Sequence, residues 1–205
     1  MTPPAGAILA GGQGRRMGGV DKPLLPLGGS TLLGHVAARL GPQVGALAIC
    51  AGGDPARFAA SGLPVLPDAL PGFAGPLAGL LAALDWAAGL EARTVVTAAA
   101  DTPFLPRDMV ARLMAAAAAQ GTGVALAASD LPGGRRLHPT CALWPVALRE
   151  GLREALAAGE RKLGRWAEAQ GAAEALFPAA PRDPFFNVNT PEDLNAARAL
   201  LGAGR

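Results

Sequence analysis

The sequence predicts one α/β domain with a mostly parallel sheet between helical layers, and three observations carry the prediction. Short apolar runs alternate with segments of helical period along the chain. The 28 glycines and 19 prolines fall between those runs instead of gathering in one tract, so they read as turns and not as a linker. The chain has 205 residues, 51% of them hydrophobic, which is enough for one sizeable core.

Each element has its own signal. Residues 6–10 form a short apolar run closed by glycines, the pattern of a buried strand feeding a loop. Residues 31–40 place Leu32, Leu33, Val36, Ala37 and Leu40 on one helical face, with Ser30 as N-cap. Residues 46–50 and 62–66 are further apolar runs, the second closed by Pro67 and Asp68. A helix starts near Pro76 and passes through Asp85 and Trp86, and residues 94–99 form a strongly apolar strand that stops before Asp101. Pro106 opens a helix that turns Met109, Val110, Leu113 and Met114 inward. Residues 124–127 and 140–144 read as strands, and residues 145–157 and 163–170 as helices. Thr190-Pro-Glu-Asp193 supplies an N-cap, a proline at the first position and acids in the first turn. No internal repeat is visible, so the whole of 1–205 is expected to be one domain.

Composition excludes several classes. A net charge of +2 gives no argument for nucleic acid. No apolar stretch reaches the roughly 18 residues a membrane span needs, and no charged segment precedes the first apolar run. A soluble cytoplasmic protein without membrane attachment is expected. Cys50 and Cys141 are too few for a disulfide framework or metal cluster, and they read as small buried residues in a reducing compartment. The cations form three groups, Arg15/Arg16/Lys22, Arg135/Arg136 in a middle loop, and Arg161/Lys162/Arg165. Each can be a solvated face, or the three can converge on one anion.

In parallel sheets ligands bind where strands end and loops begin, so the segment after the first strand matters most. It reads Leu9-Ala-Gly-Gly-Gln-Gly-Arg-Arg-Met-Gly-Gly-Val-Asp-Lys22. Its glycines let backbone N–H groups approach an anion, and Arg15, Arg16 and Lys22 add mobile positive charge. The spacing fails the dinucleotide fingerprint, and no Gly-Lys-Ser/Thr follows as in a P-loop. A polyphosphate cradle is the functional reading; a surface turn is the bland one. Asp101, at the end of the 94–99 strand, suits a hard cation that takes oxygen ligands, and equally suits a helix N-cap. Asn187 and Asn189 share a face if residues 185–189 are extended.

The Leu9–Lys22 string closely resembles the signature of the molybdenum cofactor guanylyltransferases, the MobA family, within the nucleotidyltransferases that carry a Leu-Ala-Gly-Gly loop. Pro67-Asp68, Gly75-Pro-Leu-Ala-Gly79, Asp101-Thr-Pro103, His138-Pro-Thr140 and Asn187-Val-Asn-Thr-Pro191 follow in the same order. Each motif alone says little, but their order and spacing from about residue 6 to 195 are specific. The resemblance implies a Rossmann-like three-layer sandwich of the nucleotide-diphospho-sugar transferase kind. It implies a first half, 1–105, that mainly binds nucleotide and a second, 106–205, that mainly binds acceptor.

The implied reaction carries GMP from GTP to the terminal phosphate of the molybdenum–molybdopterin cofactor, with release of pyrophosphate. The implied nucleotide site is Leu9, Ala10, Gly11, Gly12, Lys22, Asp68 and Asp101, with Arg16, Lys22 and Asp101 catalytic and Mg²⁺ on Asp101. The implied acceptor site is His138, Asn187 and Asn189. Proteins that load molybdopterin and mature molybdoenzymes are the implied protein partners. Asp68 also reads as a turn residue, and His138 as a structural residue set in a turn by Pro139. Family members often carry Asn at the end of the second strand, where this chain has Cys50; nucleoside contacts there would fall to Gly52, Gly53 or backbone. An acceptor phosphate is already ionised near neutral pH, so charge neutralisation and in-line positioning matter more than an acid–base pair. The alternatives are the same transfer with CTP, a sugar-phosphate nucleotidyltransferase, or a non-catalytic molybdopterin carrier. Relatives that use CTP resemble Leu-Ala-Ala-Gly in the first loop, whereas Gly11 stands here.

Overall fold

The computed structural model describes residues 2–11, 21–68, 75–180 and 182–202. Gly12, Arg16 and the remainder of the 12–20 string lie outside them, as does Gly72.

The strands are β1 (Ala5–Leu9), β2 (Pro26–Leu27), β3 (Ser30–Thr31), β4 (Ala46–Cys50), β5 (Val65–Leu66), β6 (Thr94–Ala99), β7 (Ala125–Leu131), β8 (Gly134–Pro145) and β9 (Ala173–Pro178). The α-helices are α1 (Leu32–Leu40), α2 (Pro76–Gly89), α3 (Met109–Gln120), α4 (Arg149–Ala157), α5 (Leu163–Ala169) and α6 (Pro191–Gly202). Among the described residues the main sheet has seven strands in the order β5-β4-β1-β6-β8-β7-β9, and β2 and β3 pair apart from it. β8 runs antiparallel to both its neighbours, and the other pairings in the main sheet are parallel. The expected sandwich and mostly parallel sheet are therefore present in one domain.

Burial on both faces explains why β1 reads as an unbroken apolar run: all five of its residues are buried. One face packs α1 and α3 through Leu33, Val36, Leu40, Met109, Val110 and Leu113. The other packs α2, α4 and α5 through Leu80, Leu84, Leu152, Leu156, Leu163 and Trp166. α2 approaches the strands closely at Gly79, where a Cβ would stand 3.2 Å from Leu9 Cδ2 and 3.4 Å from the Cβ of Cys50. A smaller core of Leu27, Leu32, Phe104, Val188, Leu194 and Ala197 seats α6 beside the end of β6.

Several boundaries differ from the sequence reading. Thr31, not Ser30, caps α1, its Oγ1 accepting from Gly34 N at 3.0 Å, while Ser30 pairs in the small hairpin. The 62–66 run shortens to Val65–Leu66 because a 3-10 helix over Pro55–Ser61 ends on Gly62 in the left-handed region. α3 starts at Met109 rather than at Pro106, and α4 at Arg149 after a short 3-10 turn. The expected loop around Arg135 and Arg136 is instead strand. β7 and β8 form a hairpin closed by Leu131↔Gly134, with Arg136 opposite Ser129. β9 had no counterpart in the sequence reading.

The hairpin is irregular where it matters. Leu126 pairs with Ala142, but the next residue, Ala127, pairs with His138. β8 thus carries Pro139, Thr140 and Cys141 as unpaired excess, a bulge of the kind that bends a strand and re-aims side chains. Pairing between β6 and β8 stops at Thr97↔Ala142. The two strands separate there, beside the residues that follow Ala99.

Candidate active site

Between the bulged β8 and the segment 186–193 lies a cleft of about 450 Å³ lined by Thr102, Arg136, His138, Pro139, Thr140, Asn187 and Asn189, among others. It lies at the carboxyl end of the parallel strands, as such sheets favour. Main-chain bonds extend the strand ends into this edge. Ala10 N donates to Cys50 O at 2.9 Å, and Ala100 N donates to Leu9 O at 3.1 Å.

Asp101 is the centre of a polar cluster. Lys22 Nζ donates to its Oδ2 and also to Asn189 Oδ1 at 2.7 Å. Asn187 Nδ2 lies 3.5 Å from Asp101 Oδ1. Lys22 and Asn187 thus meet the Asp101 carboxylate, Asn189 joins through Lys22, and local causes hold each in place. Lys22 opens a 3-10 turn whose second position is the buried Pro23. Asp101 is fixed through its own carbonyl, which accepts from Val188 N at 3.0 Å. Val188 is fully buried while Asn187 and Asn189 are exposed, so the two amides share a face as period-two alternation requires. The start of α6 locks them: Asp193 Oδ2 accepts from Asn189 N at 2.8 Å and Thr190 N at 2.9 Å. Thr190 Oγ1 in return accepts from Asp193 N at 3.2 Å, so the reciprocal cap is built with aspartate in the glutamate position. The N-cap reading of Asp101 is set aside, since the helix that follows, α3, is preceded by Asp108.

Leu9 and Ala10 lie at the end of β1, their carbonyl and N–H respectively committed to the sheet extension. Gly11 is exposed, and a Cβ built on it would meet nothing within 4 Å among the described residues. Asp68 follows β5, and its Oδ2 would lie 3.2 Å from a Cβ on Gly52. Burial raises the Asp68 carboxyl above its ordinary value. Cys50 is buried under α2, its thiol pushed up to about 12 by burial and then by the Asp68 charge. It is an inert packing residue. His138 lines the cleft from strand β8, not from a turn, and it is 8% exposed. Its ring stacks on Phe185 at 4.6 Å.

Arg15 and Arg16 lie outside the described residues, and the other two basic groups do not gather at Lys22. Arg136 lines the cleft, but Arg135 is held by Asp130 at 3.0 Å and Glu174 at 3.1 Å. In the third group Glu160 accepts from the N–H groups of Arg161 and Lys162 and pairs with Arg165, which brings its carboxyl down to about 2. Sequence reasoning missed a support for Lys22. Asp21 pairs with Arg57 at 2.8 Å, and Arg57 also donates to Gly52 O at 2.9 Å and covers the Phe58 ring. Asp21 stands inside the glycine-rich string, which was its signal; Arg57 had none.

The MobA-like NTP transferase domain matches residues 6–175 of this chain. The chain belongs to that family. It is 55% identical to the molybdenum cofactor guanylyltransferase of Bradyrhizobium sp. over 198 residues, covering 95% of this chain and 92% of that one. It is 52% identical to the enzyme of the same name from Mesorhizobium japonicum over 202 residues, covering 96% and 95%. The crystal structure of molybdopterin-guanine dinucleotide biosynthesis protein A from Archaeoglobus fulgidus shares the fold with a TM-score of 0.71, 23% identity and coverage of 97% and 99%. The family assignment agrees with the resemblance carried by the sequence motifs. Among the described residues, no helix is long and apolar enough to cross a membrane.

Proposed function

We propose that this nucleotidyltransferase moves GMP from GTP to the terminal phosphate of molybdenum–molybdopterin and releases pyrophosphate in the cytoplasm. The observation that carries the reading is Lys22 Nζ set between the Asp101 carboxylate and the Asn189 amide oxygen, at the strand edge where β1 and β6 end. The names of the relatives at more than 50% identity supply the substrates.

Residues 1–105 serve the nucleotide and 106–205 the acceptor. Ala10 and Gly11 border the base, and Gly12, Arg16 and Lys22 take the triphosphate. Among the described residues no hydrogen bond engages the Ala10 carbonyl or the Gly11 N–H, so these remain for a base edge. Gly11 has no positive φ and, among the described residues, no crowding neighbour to require it, which points to space needed by a ligand. Asp68 borders the nucleoside. His138, Asn187 and Asn189 face the acceptor.

Asp101 brings one carboxylate, a hard oxygen ligand, to this edge with the Asn189 amide oxygen nearby on Lys22, and a single protein carboxylate would suit Mg²⁺ held together with substrate phosphates. Asp101 would hold the ion, which when bound supplies charge neutralisation at the triphosphate. Lys22 turns from Asp101 toward the phosphates and draws their charge, while the asparagine amides orient the attacking phosphate oxygen. Proteins that load molybdopterin and mature molybdoenzymes are the expected partners.

The test mixes the protein with molybdenum–molybdopterin and Mg-GTP or Mg-CTP and follows pyrophosphate. Release requires all components and favours GTP over CTP in kcat/KM by on the order of 10², because cytosine leaves polar groups unpaired at about 1–3 kcal/mol each. Equal or better use of CTP assigns the cytidylyl reaction, and no release with any nucleotide assigns a carrier.

A further inference from the structure

His138 is the one histidine of the cleft, and its partner decides what it can offer a ligand. Ser129 lies opposite the cleft wall on β7 and is fully buried. Its Oγ stands 2.8 Å from His138 Nε2, the one hydrogen bond of that hydroxyl among the described residues. A hydroxyl can donate or accept, but a buried hydroxyl with a single partner must give that partner its proton or leave the donor unmade. Donation needs a lone pair on Nε2. The proton of the neutral imidazole then sits on Nδ1, the nitrogen that has no partner among the described residues.

The ring cannot easily exchange its two edges. Phe185 stacks on it at 4.6 Å, and Phe177 meets Phe185 edge-on at 5.1 Å. Burial holds the imidazole below its ordinary pKa; the Asp183 carboxylate opposes this and the Arg136 guanidinium assists it. His35 provides an internal contrast. Its Nε2 lies 2.8 Å from Leu27 O, and a carbonyl only accepts, so His35 carries its proton on Nε2. The chain has 2 histidines, and their hydrogen-bond partners call for opposite tautomers.

We infer that Ser129 is a positioning residue that fixes His138 as the Nδ1–H tautomer, so that the acceptor cleft presents a neutral N–H donor to a lone pair of the bound acceptor. This rests on reading the cleft as the acceptor site. A neutral donor selects an oxygen or ring nitrogen without adding charge, and it rejects a ligand N–H in that place. Both a phosphate oxygen and a pterin ring atom have the required lone pair.

A two-bond ¹H–¹⁵N correlation spectrum of the full chain near neutral pH reads the tautomers directly. The expected result is an unprotonated Nε2 on His138 and a protonated Nε2 on His35. A protonated Nε2 on His138 overturns the inference without need of any variant. Calorimetry of Ser129→Ala is expected to show molybdenum–molybdopterin binding weakened about tenfold, with GTP binding unchanged. Ser129→Thr, which keeps the hydroxyl, restores the wild-type tautomer and affinity. A folded Ser129→Ala protein with unchanged cofactor affinity also overturns the inference. A pterin without phosphate locates the lone pair: weakened binding of it assigns the ring, and weakening confined to the full cofactor assigns the phosphate. Intact binding of both substrates without turnover counts instead against the transfer reaction.

Discussion

Replacing Asp101 by asparagine removes one negative charge and turns one of its two acceptor oxygens into a donor while keeping the volume of the side chain. Its surroundings set the expected cost. The Asp101 and Lys22 side chains are 21% and 16% exposed, so the pair lies between a surface ion pair and a buried one. Exposed pairs contribute about 0–1 kcal/mol and broken buried pairs cost about 3–5. Here Lys22 keeps Asn189 Oδ1 at 2.7 Å, and the Asp101 carbonyl keeps Val188 N, so a cost of about 1–2 kcal/mol is expected. For a chain of this size that lowers Tm by about 2–8 °C, at about 2–4 °C per kcal/mol. Turnover is expected to fall by on the order of 10² or more, since the lost charge acts where phosphate charge is redistributed. Pyrophosphate release across a Mg²⁺ titration, with calorimetric melting of the same sample, measures both. A folded Asp101→Asn protein with wild-type turnover and wild-type Mg²⁺ dependence would refute the reasoning.

Three further perturbations probe other links. Gly11→Ala leaves Tm unchanged, since its Cβ meets nothing within 4 Å among the described residues, but narrows the preference for GTP over CTP; a large loss of stability would show that the glycine serves the fold. Thr97→Val removes the acceptor that Trp144 Nε1 uses at 3.0 Å in the core, leaving a buried donor unpaired at about 1–3 kcal/mol. Denaturant unfolding that registers no loss would mean that Trp144 finds another partner. For His138 the folded pKa lies below the ordinary 6.5, so the unfolded chain binds the proton more readily. Its contribution is fully present above pH 6.5 and is lost as pH falls from there through the lower folded value. Tm measured against pH should show that slope, and His138→Gln should flatten it.

Much of this could be read from the sequence because local signals agreed with tertiary demands. The β1 run is apolar on both faces since helices cover both, and Thr190-Pro-Glu-Asp193 starts α6 as expected. The placement of Lys22, Asp101, Asn187 and Asn189 at one edge follows from strand ends and period-two alternation, although their mutual contacts do not. β9 was unreadable for a physical reason. Ala-Glu-Ala-Leu favours helix, and only pairing with β7 makes it a strand, with alternate residues buried. The hairpin had a signal in Pro132-Gly133-Gly134, but Arg135 and Arg136 beside it suggested a solvated loop. Pro139 was a local sign of an irregular strand, but the three-residue extent of the bulge had none, because it arises from the different neighbours of β8 on its two sides.

The bond from Val188 N to Asp101 O joins residues 87 positions apart, and that separation bears on how the protein is made. A chain leaving the ribosome exposes β1, β6 and the hairpin well before Asn187 emerges. Up to that moment the growing polypeptide holds Lys22 and Asp101 without the two amides that complete their surroundings. On the proposed function the transfer site is therefore complete only once residues 187–202 have emerged, when Val188 packs with Phe104 and α6 settles beside it. On that same proposal a nascent fragment could engage a triphosphate, yet it would lack the two amides proposed to steer a second substrate onto it.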